Sequence, residues 1–466
     1  MKMLIRGGRV VTASDDFPAD VLVEGEQVAA VGAGLGPADR VLDAAGCYVL
    51  PGGVDAHTHL ELPVGEVVSS DDFLTGTRAA ACGGTTTCVD FATQFRGQTL
   101  HQALDAWHAK ARGRACIDYA FHMALSEVDE RILAEMDAVA AQGVPSFKLY
   151  MAYPGTMMVD DGALFRAFQR CAEIGALAMV HAENGPVIEV LVRQALARGE
   201  TAPRYHPRTR PPELEGEAAG RALTLARLAG APLYLVHVTC THTLQRVREA
   251  RALGQPVFAE TCPQYLYLSE ERYDAPGFEG AKYVMSPPLR PAGHPGALWE
   301  ALRAGDLEVV STDHCPFVMR AGFAGLPAQK ELGRDDFSRI PNGAAGIETR
   351  MDLLHQGVVD GRLGLRRWVE VACTAPARRF GLFPRKGTLA AGSDADVVVY
   401  DPAPRRTLAA ADLHQRVDYT PFEGLPVTGR VRAVLLRGKV IVEGGAHVGS
   451  PGDGQFLPRA RQEVKP

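Results

Sequence analysis

Residues 51–59 read PGGVDAHTH, and this stretch sets the pattern on which the rest of the chain is read. Two glycines precede a short run carrying Val54 and Ala56, and the run closes on His57 and His59. Successive side chains on a strand point to opposite faces, so these two histidines share a face and can grip one ion. The same form, an apolar run ending on a metal-type or basic residue, recurs as SFKLYMAY (146–153, with Lys148), LAMVHAEN (177–184, with His181), PLYLVHVT (232–239, with His237) and LEVVSTDH (307–314, with Asp313).

These runs belong to a longer alternation. Candidate strands are Gly53–His57, Thr85–Asp90, Ile117–Phe121, Ser146–Leu149, Ala178–His181, Tyr234–His237, Val257–Glu260 and Val309–Thr312. Stretches with helical spacing lie between them, among them Glu130–Ala141, Ala163–Ile174, Glu215–Leu228 and Leu244–Leu253. Eight strands alternating with helices predict an α/β fold, a (β/α)8 TIM barrel over residues 53–380, with a doubly wound open sheet as the alternative. In such a barrel the C-terminal ends of the strands converge on the active site. A single buried histidine reads more readily as a core residue. Four histidines, Asp313 and Lys148, all at predicted strand ends, read as a metal site. Lys148 is also unusual alone, because burial among Phe147, Leu149 and Tyr150 penalises its ammonium. It needs a carboxylate partner or chemical neutralisation, unless it snorkels to the barrel mouth.

Both ends of the chain are β-like. Leu4–Thr12, Ala19–Val23 and Gln27–Val31 are Val-rich and broken by Gly; Asp396–Tyr400 and the two runs around Arg437-Gly438-Lys439 look similar. LIRGGRVVT (4–12) and LLRGKVIV (435–442) share an apolar run, an Arg-Gly turn and β-branched residues. Residues 1–52 and 381–445 are therefore assigned to one small β-sandwich, with 446–466 as a Gly/Pro-rich C-terminal extension. The composition is ordinary for a globular protein, 46% hydrophobic and 22% charged. A net charge of -6 argues against a nucleic-acid partner. Nine cysteines without a CxxC pair read as free thiols in a reducing compartment. With no signal peptide and no long apolar window, a cytoplasmic protein without membrane contact is expected.

The motifs carry a resemblance. PGGVDAHTHLELP (51–63), FLTGTRAAACGGTTTCVDF (73–91), SFKLYMAY, MVHAENG (179–185), ETCPQYL (260–266), YVMSPPLR (283–290), STDHCPF (311–317), PNGAAGIETR (341–350) and KGTLAAGSDADVVVYDP (386–402) follow one another along nearly the whole chain. It resembles the cyclic amidohydrolases, most closely the dihydropyrimidinase and D-hydantoinase family. The resemblance implies a binuclear barrel with a β-sandwich and a homotetrameric assembly. It implies His57 and His59 on one metal, His181 and His237 on the other, Lys148 N-carboxylated by carbon dioxide as the bridge, and Asp313 completing the first site. Zinc suits these ligands best, without excluding Mn, Co or Fe. In the implied reaction a hydroxide shared by metals about 3.5–4 Å apart attacks a ring carbonyl. Tyr153 stabilises the oxyanion, Asp313 moves the proton to the leaving nitrogen, and Ser286 and Asn342 hold the ureide edge.

The expected substrates are small cyclic ureides, dihydropyrimidines and 5-substituted hydantoins, opened to N-carbamoyl amino acids. Dihydroorotases carry an Arg two residues after the second histidine, clamping a substrate carboxylate; here Glu61 stands there and is expected to repel one. Tyr150, Pro154, Met157 and Met158 are expected to line a pocket for the exocyclic substituent. Allantoinase and dihydroorotase remain alternatives within the superfamily. The non-catalytic collapsin response mediator proteins are an alternative from another class, disfavoured because all six ligand positions are retained.

Overall fold

A computed structural model describes residues 2–461. Eight parallel strands pair in chain order: β1 (Gly53–Thr58), β2 (Thr85–Thr93), β3 (Asp118–Ala124), β4 (Ser146–Tyr150), β5 (Leu177–His181), β6 (Leu233–Leu235), β7 (Val257–Thr261) and β8 (Val309–Val310). Helices lie between them, and the expected barrel is present. Several helices begin on a residue whose side chain accepts first-turn N–H groups: Asp72, Thr99, Asp129, Asp160 and Asn184. Such a cap stabilises a helix by about 1 kcal/mol.

The ring closes between β8 and β1 by single bonds. Asp313 N–H donates to the His57 carbonyl at 2.9 Å, and His59 N–H donates to the His314 carbonyl at 2.9 Å. Lower down, the fully buried Arg350 guanidinium donates to the carbonyls of Val54 (3.1 Å) and Val310 (3.0 Å). The seam thus shares residues with the candidate metal site.

Two predicted strands are shorter than expected. β6 stops at Leu235, so His237 lies beyond it at φ 38°, its N–H turned to the Glu260 carboxylate at 3.3 Å. β8 stops at Val310, because Thr312 bonds through N–H (3.1 Å) and hydroxyl (2.6 Å) to Asp55 instead of extending the ladder.

A nine-stranded sheet takes strands from both ends of the chain. Tyr48–Pro51 joins the two ends, running antiparallel to Val397–Tyr400 and parallel to the strand Lys2–Val11. Met3, Ile5, Val21, Val23, Val397, Val399 and Leu435 share a separate buried core beneath it. Tyr48–Pro51 enters β1 through Gly52, where a Cβ would lie 2.0 Å from the Thr86 hydroxyl. Only glycine fits that approach. The segment expected as an extension is built in: Ala446–His447 pairs with Lys439–Glu443, and Phe456 bridges Tyr119 at the start of β3. Its last residues, 462–466, lie outside the described residues. Among the described residues no helix is long and apolar enough to cross a membrane.

Candidate active site

The C-terminal ends of the strands bring five of the six predicted ligand residues, His59, Lys148, His181, His237 and Asp313, to one cavity of about 640 Å³, and His57 packs against them. His57 Nε2, His59 Nε2 and the Asp313 carboxylate lie 3.1–3.2 Å from one another. Lys148 Nζ lies 2.9 Å from His57 Nε2, and His181 Nδ1 faces His237 Nε2 at 3.0 Å. A tetrahedral ion with bonds of about 2.0–2.1 Å separates its donors by about 3.4 Å. The donor spacings therefore suit metal coordination. Burial pushes His59 down to about 4 and His237 well below the ordinary imidazole value. Both rings are neutral at pH 7, the form that can ligate. Burial alone would push the Asp313 carboxyl up, but His57 and His59 hold it well below the usual range.

Lys148 is buried, and of the three neighbours the sequence suggested only Tyr150 lies beside its ammonium. Phe147 and Leu149 point to the opposite face of β4, into the core outside the barrel. Its ammonium lies 4.2 Å from the centre of the Phe91 ring and 4.9 Å from that of Tyr150. Burial pulls it down to about 8. Tyr153 lines the cavity at φ 66°, and burial pushes its phenol well up, so it remains a hydrogen-bond donor at neutral pH. Ser286 and Asn342 line the same cavity, and Ser286 Oγ and Asn342 Oδ1 are buried without a hydrogen-bond partner. Two residues that line one cavity and carry unpaired polar atoms suit a polar ligand.

Sequence reasoning passed over several supporting residues. Glu260 holds His57 Nδ1 at 2.5 Å and is held in turn by Tyr234 (3.0 Å) and Ser311 (2.7 Å). Glu183 binds His181 Nε2 at 2.9 Å; burial would raise its carboxyl, yet Arg210 and His181 hold it at about 2. Such partners fix the orientation of ligating rings. Glu260 was detectable, since it closes a predicted strand just as the histidines do.

The substituent pocket also differs from expectation. Tyr150 and Met157 line the cavity, whereas Pro154 and Met158 do not; Leu62, Pro63, Val64 and Phe95 supply the rest of the apolar wall. Those residues come from loops with no periodic signal. Glu61 does not reach the cavity, because its carboxylate pairs with Arg114 at 3.1 Å. Repulsion of a substrate carboxylate by Glu61 is therefore not what the geometry supports. What distinguishes the site is the lack of a cationic clamp at this position.

A barrel whose strand ends gather imidazoles, a carboxylate and a buried lysine defines the class of metal-dependent hydrolases, and residues 48–441 match the Amidohydrolase family. The chain is 56% identical over 465 residues to the D-hydantoinase of Streptomyces coelicolor, covering 98% of each. It is 49% identical over 464 residues to that of Geobacillus stearothermophilus, covering 99% of this chain and 97% of the other. The crystal structure of dihydropyrimidinase from Brevibacillus agri NCHU1002 superimposes with a TM-score of 0.97 at 50% identity over 100% of both chains. The chain belongs to the amidohydrolase family, in its branch of D-hydantoinases and dihydropyrimidinases.

Proposed function

We propose that the chain hydrolyses the ring amide of dihydropyrimidines and 5-substituted hydantoins to N-carbamoyl amino acids. The observation that carries this reading is the convergence of His59, His181, His237, Asp313 and Lys148 on a cavity, with His57 Nε2 2.9 Å from Lys148 Nζ and the unpaired Ser286 and Asn342 on the same lining. His57, His59 and Asp313 would hold one divalent ion, and His181 and His237 a second. Lys148, as its carbamate with carbon dioxide, would join them. Zinc fits this mixture of nitrogen and oxygen donors best. Such ions, when bound, polarise a carbonyl and make water nucleophilic at neutral pH.

The remaining steps fall to the chain's own residues. Lys148 takes up carbon dioxide through its neutral amine, which its lowered basicity supplies. Ser286 and Asn342 hold the ureide edge and turn the scissile carbonyl toward Tyr153. The Tyr153 phenol donates to that carbonyl oxygen as negative charge develops. Asp313 takes the proton released as water adds and returns it to the leaving ring nitrogen. Tyr150, Met157, Leu62 and Phe95 accept the exocyclic substituent, and the names of the relatives support a preference for the D-enantiomer. The homotetrameric state follows from the resemblance and the cytoplasmic location from the free cysteines; Leu228 and Leu253, 67% and 73% exposed, give such an assembly apolar surface to cover.

The test is a panel of dihydrouracil, both enantiomers of 5-phenylhydantoin, allantoin and dihydroorotate with metal-loaded enzyme. Dihydrouracil and D-phenylhydantoin should be opened fastest. Equal efficiency on dihydroorotate or allantoin would overturn the reading. In the same assay Asp313→Asn should lose turnover more completely than metal.

A further inference from the structure

Behind the wall that carries Ser286 and Asn342 lies a second buried lysine. Lys330 is fully buried, and among the described residues no carboxylate lies within ion-pair distance of it. Its Nζ instead donates to three backbone carbonyls: Val284 at 2.9 Å, Pro341 at 2.7 Å and Gly343 at 2.9 Å. Three acceptors match the three N–H groups of an ammonium. Burial pulls the group down to about 7, and carbonyl dipoles turned inward are what favours the charged form there.

The three carbonyls are not scattered. Pro341 and Gly343 flank Asn342, and Val284 stands two residues before Ser286. The Val284 carbonyl also accepts the Gly343 N–H at 3.0 Å, so the two loops meet at the cage. A trans peptide points its N–H and C=O in opposite directions. With the Pro341 carbonyl turned to Lys330, the Asn342 N–H faces away from the cage. With the Gly343 N–H turned to Val284, the Asn342 carbonyl faces away as well. Asn342 thus directs both backbone groups outward from the cage and itself lines the cavity. The neighbouring Gln329 ties the same segment to the Pro63–Val68 hairpin, donating to the Val68 carbonyl at 2.6 Å while accepting the Val318 N–H at 3.0 Å.

We infer that Lys330 is a positioning residue for substrate: its ammonium clamps the 284–286 and 341–343 loops into one surface that presents Asn342 and Ser286 to the ureide edge. The inference rests on the function proposed above. It assigns to Lys330 the recognition of what all these substrates share, the N–C(=O)–N edge, and not of the substituent that distinguishes them. A hydrophobic residue of the same size could fill the space but could not hold three carbonyls in one orientation.

Steady-state kinetics of Lys330→Met and Lys330→Gln test this, with dihydrouracil and D-phenylhydantoin as substrates and with metal content measured. Wild type is assayed first: if it opens neither ring, the proposed function fails whatever Lys330 does. Given an active wild type, KM in Lys330→Met should rise about 10–100-fold, the scale of one lost charge-assisted hydrogen bond. The factor should be the same for both substrates, with kcat within about threefold and metal content unchanged. Lys330→Gln keeps two donors and should fall between Met and wild type. A residue needed only for folding would lower active enzyme per chain at constant KM, and that outcome overturns the inference. So does a KM rise confined to phenylhydantoin, which would place the effect in the substituent pocket. Failure of both variants to fold would make Lys330 a folding element and overturn it equally.

Discussion

At the C-terminal ends of the barrel strands, buried polar atoms stand without partners; at the N-terminal ends, buried charges are almost fully paired. Ser286 Oγ, Asn342 Oδ1, His59 Nδ1 and His237 Nδ1 all lack a hydrogen bond at the first end. Tyr153, His237 and Asp313 there adopt left-handed backbone at φ 66°, 38° and 52°. Each such residue costs of order 1–3 kcal/mol. At the other end Lys386 Nζ meets Asp118 at 2.7 Å, Asp396 at 2.7 Å and Asp394 at 3.0 Å, and Arg437 also pairs with Asp118. The atoms left over there include Nε of Arg350, Arg437 and Arg459, whose terminal nitrogens are bonded, and the hydroxyls of Thr86 and Thr87. One end is built to be completed by a ligand. The other is completed by the chain itself, where the terminal sheet and the C-terminal arm dock under the barrel. Buried polarity alone therefore does not mark a function, and neither does a single unpaired atom; several unpaired atoms on residues that line one cavity do.

The largest expected effect breaks the comparison if it fails. Lys148→Ala should lose bound metal and ring-opening activity together, to background, because an uncompensated gap would replace the group joining the two halves of the site. Reconstitution of wild type should need bicarbonate as well as metal. Normal metal content in Lys148→Ala, by elemental analysis, would remove its proposed role.

The paired end should respond in stability, not in chemistry. Lys386→Met leaves buried Asp396 without a cationic partner, while Asp118 keeps Arg437 and Asp394 keeps Arg385, and should cost about 3–5 kcal/mol by denaturant titration. The folded fraction should keep its KM and metal content; altered KM would mean that the two ends are coupled. Tyr153→Phe should do the reverse, lowering kcat by about 10²–10³ with metal content and thermal midpoint little changed. Glu260→Gln, which weakens the hold on His57, should lower metal affinity by about 10–100-fold. Unchanged affinity in a chelator titration would reduce Glu260 to packing.

The smallest effect concerns pH. Burial pushes His206 down to about 3 in the fold, against 6.5 for an ordinary imidazole. The unfolded chain then binds the proton more readily between those values, so stability should be full above pH 6.5 and fall as pH drops toward 3. His206→Gln, which keeps a donor for the Met285 carbonyl, should flatten that acid limb. An unchanged slope of thermal midpoint against pH would assign the limb to other groups.

Much of the first end was legible in the sequence. Strand runs closing on His57, His59, Lys148, His181 and Asp313 follow from period-two patterning and from the barrel rule that strand ends converge. Failures came where side chains or loops leave that periodicity. Glu61 was read as facing the substrate, but a left-handed turn at φ 54° sends it to Arg114. Pro154 and Met158 flank Tyr153 in sequence, yet the backbone turning at Tyr153 leaves only Met157 of the three at the cavity.

By itself, then, the sequence determined the alternation of strands and helices and offered six candidate ligand positions, because apolar runs closing on polar residues can be read one strand at a time. Only the tertiary structure decided which groups are paired. Lys386 and Lys330 are both buried lysines, one among three carboxylates and one among three carbonyls. Nothing within a few residues of either announces the difference. Each cage closes on a partner from far along the chain, Asp118 for Lys386 and Val284 for Lys330, and a buried charge takes its meaning from what surrounds it in space.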